Sequence, residues 1–221
     1  MQNGVKAVLF DFDGTLVFLP IDYSGMRRRL QRLFSKHGIK SSFHPLLGSI
    51  EQCLSEMMLK KYPHFKIENV KNDAYRIIED EEVKAVKKAK LANGVKDVIA
   101  GLKQKGVKTA IVSRNGRKCI QMCISKFELP ALDVIVARDD LRDAGSLKPD
   151  PRHALLCLKG LRTKPQNAII VGDSHHDIEM GKRAGIRTVL VGHKGKNEKN
   201  LKPDYITEKL IEISILLKMG N

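Results

Sequence analysis

A chain of 221 residues has room for one large domain or for a core with a smaller insert, and 42% hydrophobic residues suffice for a real core. The first residues lack the basic region and apolar segment of a signal peptide, and no apolar run approaches the ~20 residues that span a bilayer, so a soluble, cytoplasmic protein without a membrane partner is expected. The formal charge of +15 favours anionic partners without naming one; the basic groups at Arg27–Arg29, Lys84–Lys90 and Lys194–Lys202 contain no aromatic side chain for stacking, which argues against a nucleic-acid module.

In chain order, Val5 to Phe10 reads as a strand buried on both faces, a short apolar run that ends in Asp11, Asp13 and the turn-forming Gly14. A helical rhythm follows. Met26, Leu30, Leu33, Phe34 and His37 mark one helix, stopped at Gly38. Leu47, Ile50, Leu54, Met57 and Met58 mark a second, closed by Pro63. A third runs from about Val70 through Ala74, Ile77 and Ile78, and its highly charged second half is expected to face solvent. No strand pattern interrupts residues 18–88, so these form the expected small helical domain, inserted into a core of residues 1–17 and 89–221.

From Asn93 strand and helix alternate. Helices are expected over Gly94–Lys105, Gly116–Phe127, from Pro151 with Asp150 as cap, and over Asp177–Ala184. Strands are expected over Val107–Ser113, Leu132–Ala137, Ala168–Val171 and Thr188–Val191, with a last one at Tyr205–Ile206 before a helix capped by Thr207. Alternation of this kind implies an α/β fold with a doubly wound parallel sheet, and such sheets bind ligands at the carboxyl ends of their strands. Cys53, Cys119, Cys123 and Cys157 form no CxxC pair. Cys119 and Cys123 share a helix face but lack two further ligands at zinc spacing, so reduced, buried thiols are expected.

The strand ends carry the chemistry. The first delivers Asp11 and Asp13, and the second Ser113, Arg114 and Asn115. Lys148 precedes the helix that starts at Pro151, and the fourth strand delivers Asp173, with Asp177 four residues on. One hydroxyl, one fixed cation and four carboxylates thus share one sheet edge. Such acids repel one another and lose solvation when left unpaired, an odd arrangement to build for stability. His175 and His176 lie between the late acids and tempt one toward a second metal, which is not the expected reading. Asp139 and Asp140 are expected to be loop and cap residues, and Tyr23 and Arg27 to Arg29 a solvated helix face.

Asp11-Phe12-Asp13-Gly14-Thr15-Leu16, Ser113, Lys148-Pro149 and Gly172-Asp173-Ser174-His175-His176-Asp177 together resemble the haloacid dehalogenase superfamily, in its phosphatase branch. The resemblance implies a nucleophile at Asp11, a general acid and base at Asp13, phosphate binding by Ser113, the Arg114 amide and Lys148, and Mg2+ held by Asp11, the Asp13 carbonyl and Asp173, with Asp177 nearby or through water. Dehalogenases of the family lack the second acid, so Asp13 implies phosphate esters. The helical insert after the first strand is similar to that of phosphoglycolate phosphatases and β-phosphoglucomutases, and implies a cap. The sequence departs from the family pattern where Arg114 stands between Ser113 and Asn115, and in the apolar stretch Val17–Pro20. The expectation is a Mg2+-dependent phosphatase acting on a small phosphorylated metabolite through an aspartyl-phosphate, as a monomer or homodimer. A sugar phosphomutase, a polynucleotide end phosphatase and a catalytically silent, nucleic-acid-associated binding protein are its rivals.

Overall fold

The computed structural model describes residues 4–141, 144–192 and 202–213. The chain divides into two compact units, Met1–Leu19 with Ala89–Asn221, and Pro20–Lys88.

The first unit is built on a parallel sheet of six strands, ordered β5 (Val134–Val136), β4 (Lys108–Val112), β1 (Ala7–Phe10), β6 (Ala168–Gly172), β7 (Arg187–Val191) and β8 (Tyr205–Thr207). β1 is central, and Ala7, Val8, Leu9 and Phe10 are all fully buried because helices cover both faces. One face carries Ala7, Leu9, Ala110, Val112 and Ile170, which pack against Ala154, Cys157, Leu158 and Leu161 of α6 (Pro151–Leu161) and Met180 of α7 (His175–Arg183). The small side chains let α6 lie close to the sheet. At Gly181 of α7 a Cβ would come within 2.5 Å of Ile170 Cγ2 and Thr188 Cγ2, so only glycine fits there. α4 (Val95–Gln104) and α5 (Arg117–Phe127) complete the layers.

The strands and helices fall where hydrophobic periodicity places them, with shifts of a few residues at their ends. Asp150 caps α6 as expected, its Oδ1 accepting from Arg152 N at 2.9 Å. α7 begins at His175, two residues before the expected start, because Ser174 and Asp177 form a reciprocal capping box. A pair of two-residue antiparallel strands, β2 (Val17–Phe18) and β3 (Lys90–Leu91), was not legible, since two residues carry no period. The helix expected after Thr207 lies largely outside the described residues; within them, Thr207 Oγ1 accepts from Lys209 N at 3.3 Å.

The second unit contains α1 (Tyr23–Ser35), α2 (Leu46–Leu59) and α3 (His64–Val86) around a core of Met26, Leu30, Phe34, Ile50, Leu54, Met57, Ile67, Val70, Ala74 and Ile78. The expected exposure of the charged second half of α3 is a correction. Glu81 and Glu82 are buried there, and Arg29 reaches across from α1 to Asp80 and Glu81, 2.7 Å from each. The Arg29 guanidinium compensates the buried Glu81 carboxylate, which local charge density alone would leave in water. Among the described residues no helix is long and apolar enough to cross a membrane.

Candidate active site

The register of the sheet sets the site. Phe10 lies level with Ile111 on one side and Val171 on the other, so the residues that follow these strands emerge together. The Asp11 amide still donates to Val171 O at 2.8 Å, and the Ser113 amide to Val136 O at 3.0 Å, which fixes both residues to the sheet edge.

Oxygens of Asp11, Asp173 and Asp177 lie within 4.8 Å of one another. Lys148 is buried among them. Its Nζ donates to Asp11 Oδ1 and, at 2.7 Å, to Asp177 Oδ1. The other oxygen of Asp177 accepts from Ser174 N at 3.2 Å and Ser174 Oγ at 2.5 Å, so its carboxylate is committed to holding the lysine and the start of α7. Asp173 accepts from Thr15 Oγ1 at 3.5 Å. Two glycines make room. A Cβ on Gly14 (φ +94°) would sit 2.3 Å from Asp173 Oδ2, and one on Gly172 would sit 2.3 Å from Asp177 Cγ. The backbone approaches these carboxylates at distances only glycine allows.

Asp13 is not among the three gathered carboxylates. The turn that follows Asp11 is closed by Leu16 N and Val17 N donating to Phe12 O at 2.9 and 3.0 Å, and Asp13 Oδ1 accepts from Leu19 N at 2.8 Å. Ser113 is buried, with Oγ donating to Asn115 Oδ1 at 2.9 Å and accepting from Asn115 N at 3.1 Å. Arg114 is exposed. His175 and His176 stack with ring centroids 3.8 Å apart at the start of α7. Asp139 and Asp140 serve the neighbouring loops: Asp139 Oδ2 accepts from Arg117 N at 2.6 Å and Asp140 Oδ2 from Ala137 N at 2.7 Å.

Two supporting residues escaped the sequence. His153 on α6 is fully buried, and its Nδ1 accepts from Lys148 N at 3.3 Å, bracing the lysine from below. A lone histidine in an amphipathic helix carries no signal of that role. Arg138, also buried, donates from Nη1 to Arg114 O and from its amide to Asn115 O, both at 3.0 Å, which pins the Ser113–Asn115 loop.

The electrostatics are lopsided. Burial, then the charge of Asp177, pushes the Asp11 carboxyl up to about 8, with Lys148 opposing. Burial and Asp177 raise Asp173 as well. Burial disfavours the Lys148 ammonium, but Asp11 and Asp177 outweigh it and hold its pKa above the ordinary value. His153 is pushed down to about 3 by burial and by Lys148, so it is a neutral acceptor. Three carboxylates around one ammonium leave the cluster short of positive charge, and its all-oxygen donor set fits a hard divalent cation.

A family profile described as haloacid dehalogenase-like hydrolase matches residues 8–191. Pyrophosphatase PpaX of Bacillus mycoides (strain KBAB4) is 29% identical over 230 residues, an alignment covering 98% of this chain and 99% of that protein. Among solved structures, CbbY from Rhodobacter sphaeroides in complex with phosphate superposes with a TM-score of 0.64 at 21% identity, covering 95% of this chain and 96% of that one. A subfamily IA hydrolase of the same superfamily from Geobacter sulfurreducens PCA superposes with a TM-score of 0.60 at 20% identity, covering 97% of each chain.

Proposed function

The chain belongs to the haloacid dehalogenase-like hydrolase family and is a phosphatase hydrolase, and on that premise we propose that it hydrolyses a small phosphorylated metabolite through an aspartyl-phosphate at Asp11, with Mg2+ bound. The observation that carries this reading is the buried Asp11–Lys148–Asp177 chain at the carboxyl end of β1, with Asp173 beside it.

Asp11, Asp173 and the backbone carbonyl of Asp13 would hold the metal, with Asp177 behind them. The metal supplies the positive charge that lets an anionic carboxylate meet an anionic phosphate. Lys148 orients Asp11 and offers its remaining donor to a phosphoryl oxygen, while Ser113 and the Arg114 amide offer donors on the other side. An Asp11 oxygen attacks phosphorus, and the leaving oxygen departs with the proton of Asp13. Asp13, now a carboxylate, takes a proton from water; the water oxygen attacks the same phosphorus and releases inorganic phosphate and free Asp11. The amide of Leu19 that binds Asp13 Oδ1 keeps this acid in place through both steps. In this reading the helical unit Pro20–Lys88 is the cap domain.

A phosphate-release screen over a metabolite panel, with Mg2+ and with chelator, tests the proposal. Metal-dependent release that falls by at least ~10³-fold in Asp11→Asn is expected. Equal release by the variant, or release untouched by chelation, overturns it.

A further inference from the structure

We propose that the side chain of Arg114 binds a second oxyanion of the substrate, so that preferred substrates carry a carboxylate or a further phosphate close to the phosphoryl group that is transferred. This rests on the phosphatase reading above.

Arg114 follows Ser113 at the end of β4, where its side chain is exposed while the backbone around it is fixed. Its carbonyl accepts from Arg138 Nη1 and the next carbonyl from Arg138 N, each at 3.0 Å, and Ser113 Oγ and Asn115 bind each other in the same turn. The side chain therefore starts from a fixed point just past the end of β4, the strand that pairs with β1, whose end carries Asp11. Neighbouring arginines of this unit are committed: Arg117 to Asp140, Arg152 to Asp150 and Arg183 to Glu179. The Arg114 side chain has no hydrogen-bond or ion-pair partner among the described residues. Its charge nevertheless reaches inward, helping to push down His153, beneath Lys148, and His176, at the start of α7.

The charge balance gives this cation a task. Asp11, Asp173 and Asp177 outnumber Lys148, and a divalent cation offsets that excess without neutralising a bound phosphate dianion. A substrate bearing another anion needs another cation, and a planar guanidinium matches a carboxylate or phosphate with two parallel hydrogen bonds. Lys90, exposed on β3 beside a cavity of about 890 Å³ that reaches Asp173, is the rival position for that cation.

Two measurements decide the matter. The first compares kcat/KM for phosphoglycolate and for pyrophosphate with that for p-nitrophenyl phosphate in the wild-type protein, Arg114→Ala, Arg114→Gln, Arg114→Lys and Lys90→Ala. The ratio for at least one doubly anionic substrate is expected to fall about tenfold or more in Arg114→Ala and Arg114→Gln, and to recover in part in Arg114→Lys. Which substrate responds identifies a carboxylate or a phosphate as the second anion. Ratios within about twofold of wild type in Arg114→Ala, or a fall in Lys90→Ala alone, overturn the proposal. The second needs no turnover: calorimetric titration with phosphonoacetate and with methylphosphonate. Wild type is expected to favour phosphonoacetate about tenfold or more and Arg114→Ala to lose the preference; equal affinities in wild type, or a preference kept by the variant, overturn it. Absence of phosphate release from every substrate by wild type sinks the phosphatase reading, and the titration still judges Arg114.

Discussion

Two charge clusters in this molecule are built from the same groups and settle in opposite ways. In the helical unit, Arg29 and Lys84 face Asp80 and Glu81, with Lys84 Nζ 2.8 Å from Glu81 Oε1, and the Arg29 and Lys84 side chains are 35% and 65% exposed. Cations match acids there. Burial pushes the Glu81 carboxyl up, but its bonds to Lys84 and Arg29 prevail and hold it below its ordinary value. At the sheet edge one buried ammonium serves three carboxylates, and Asp11 moves the other way, up to about 8. The first cluster is complete as it stands and holds two helices together. The second is short of positive charge, and that deficit suits the metal and phosphate proposed for it.

The largest effect is expected where the deficit is deepened. Lys148→Met leaves Asp11, Asp173 and Asp177 together without their cation, and should cost about 3 kcal/mol in chemical denaturation, the usual penalty for removing one partner of a buried pair. Relieving the deficit by Asp11→Asn should leave the melting temperature unchanged or higher, although activity is lost. A large loss of stability in Asp11→Asn would mean that the cluster is balanced after all.

A smaller effect follows from pH. Asp11 has a folded pKa raised above its unfolded value, so in metal-free protein its contribution to stability is greatest below the unfolded value and declines as pH rises towards about 8. In the proposed function, Mg2+ bound at Asp11 would displace its proton below that pH. Its affinity is therefore expected to rise between pH 6 and about 8, with proton release detectable by calorimetry in buffers of different ionisation enthalpy. A pH-independent affinity over that range would contradict this account.

The smallest effect belongs to the balanced cluster. Arg29→Ala should cost about 0.5–1 kcal/mol, since its groups are partly exposed and solvent screens them. Glu81 has a lowered folded pKa, so its contribution is present above its unfolded value and is lost as pH falls through the folded one. Arg29→Ala should shrink that acid-side loss in a series of melts below pH 5. An unchanged series would show the pair to be idle.

The sheet was legible because strands buried on both faces read as apolar runs, as in Val8–Phe10 and Ala168–Val171, and because each run ended in a polar group at a turn. Asp11, Ser113 and Asp173 stand at those endings, whereas Asp177, four residues past one of them, and Lys148, just before the Pro151 helix, gained their meaning from the family resemblance. What stayed hidden is what depends on packing between distant segments. The Arg29 pairings join residues some fifty positions apart, and no local pattern announces them. His153 matters through one acceptor atom beneath Lys148, and Arg138 through the carbonyls of a loop on another strand. In sequence all three look like ordinary members of a helix or a turn.

The β2–β3 pair has a consequence for how such a chain could have been assembled. Phe18 lies beside Lys90 in an antiparallel ladder, so the polypeptide leaves and re-enters the sheet-bearing unit at a single place. To that unit, everything between the two residues is one long loop whose ends already meet. Extending such a loop costs little, because closure entropy grows only with the logarithm of length. A short turn could replace it, or a different module occupy it, without disturbing the strands that carry Asp11 and Asp173. Genetic exchange at this doorway would renew the inserted helices and leave the strand ends of the sheet in place.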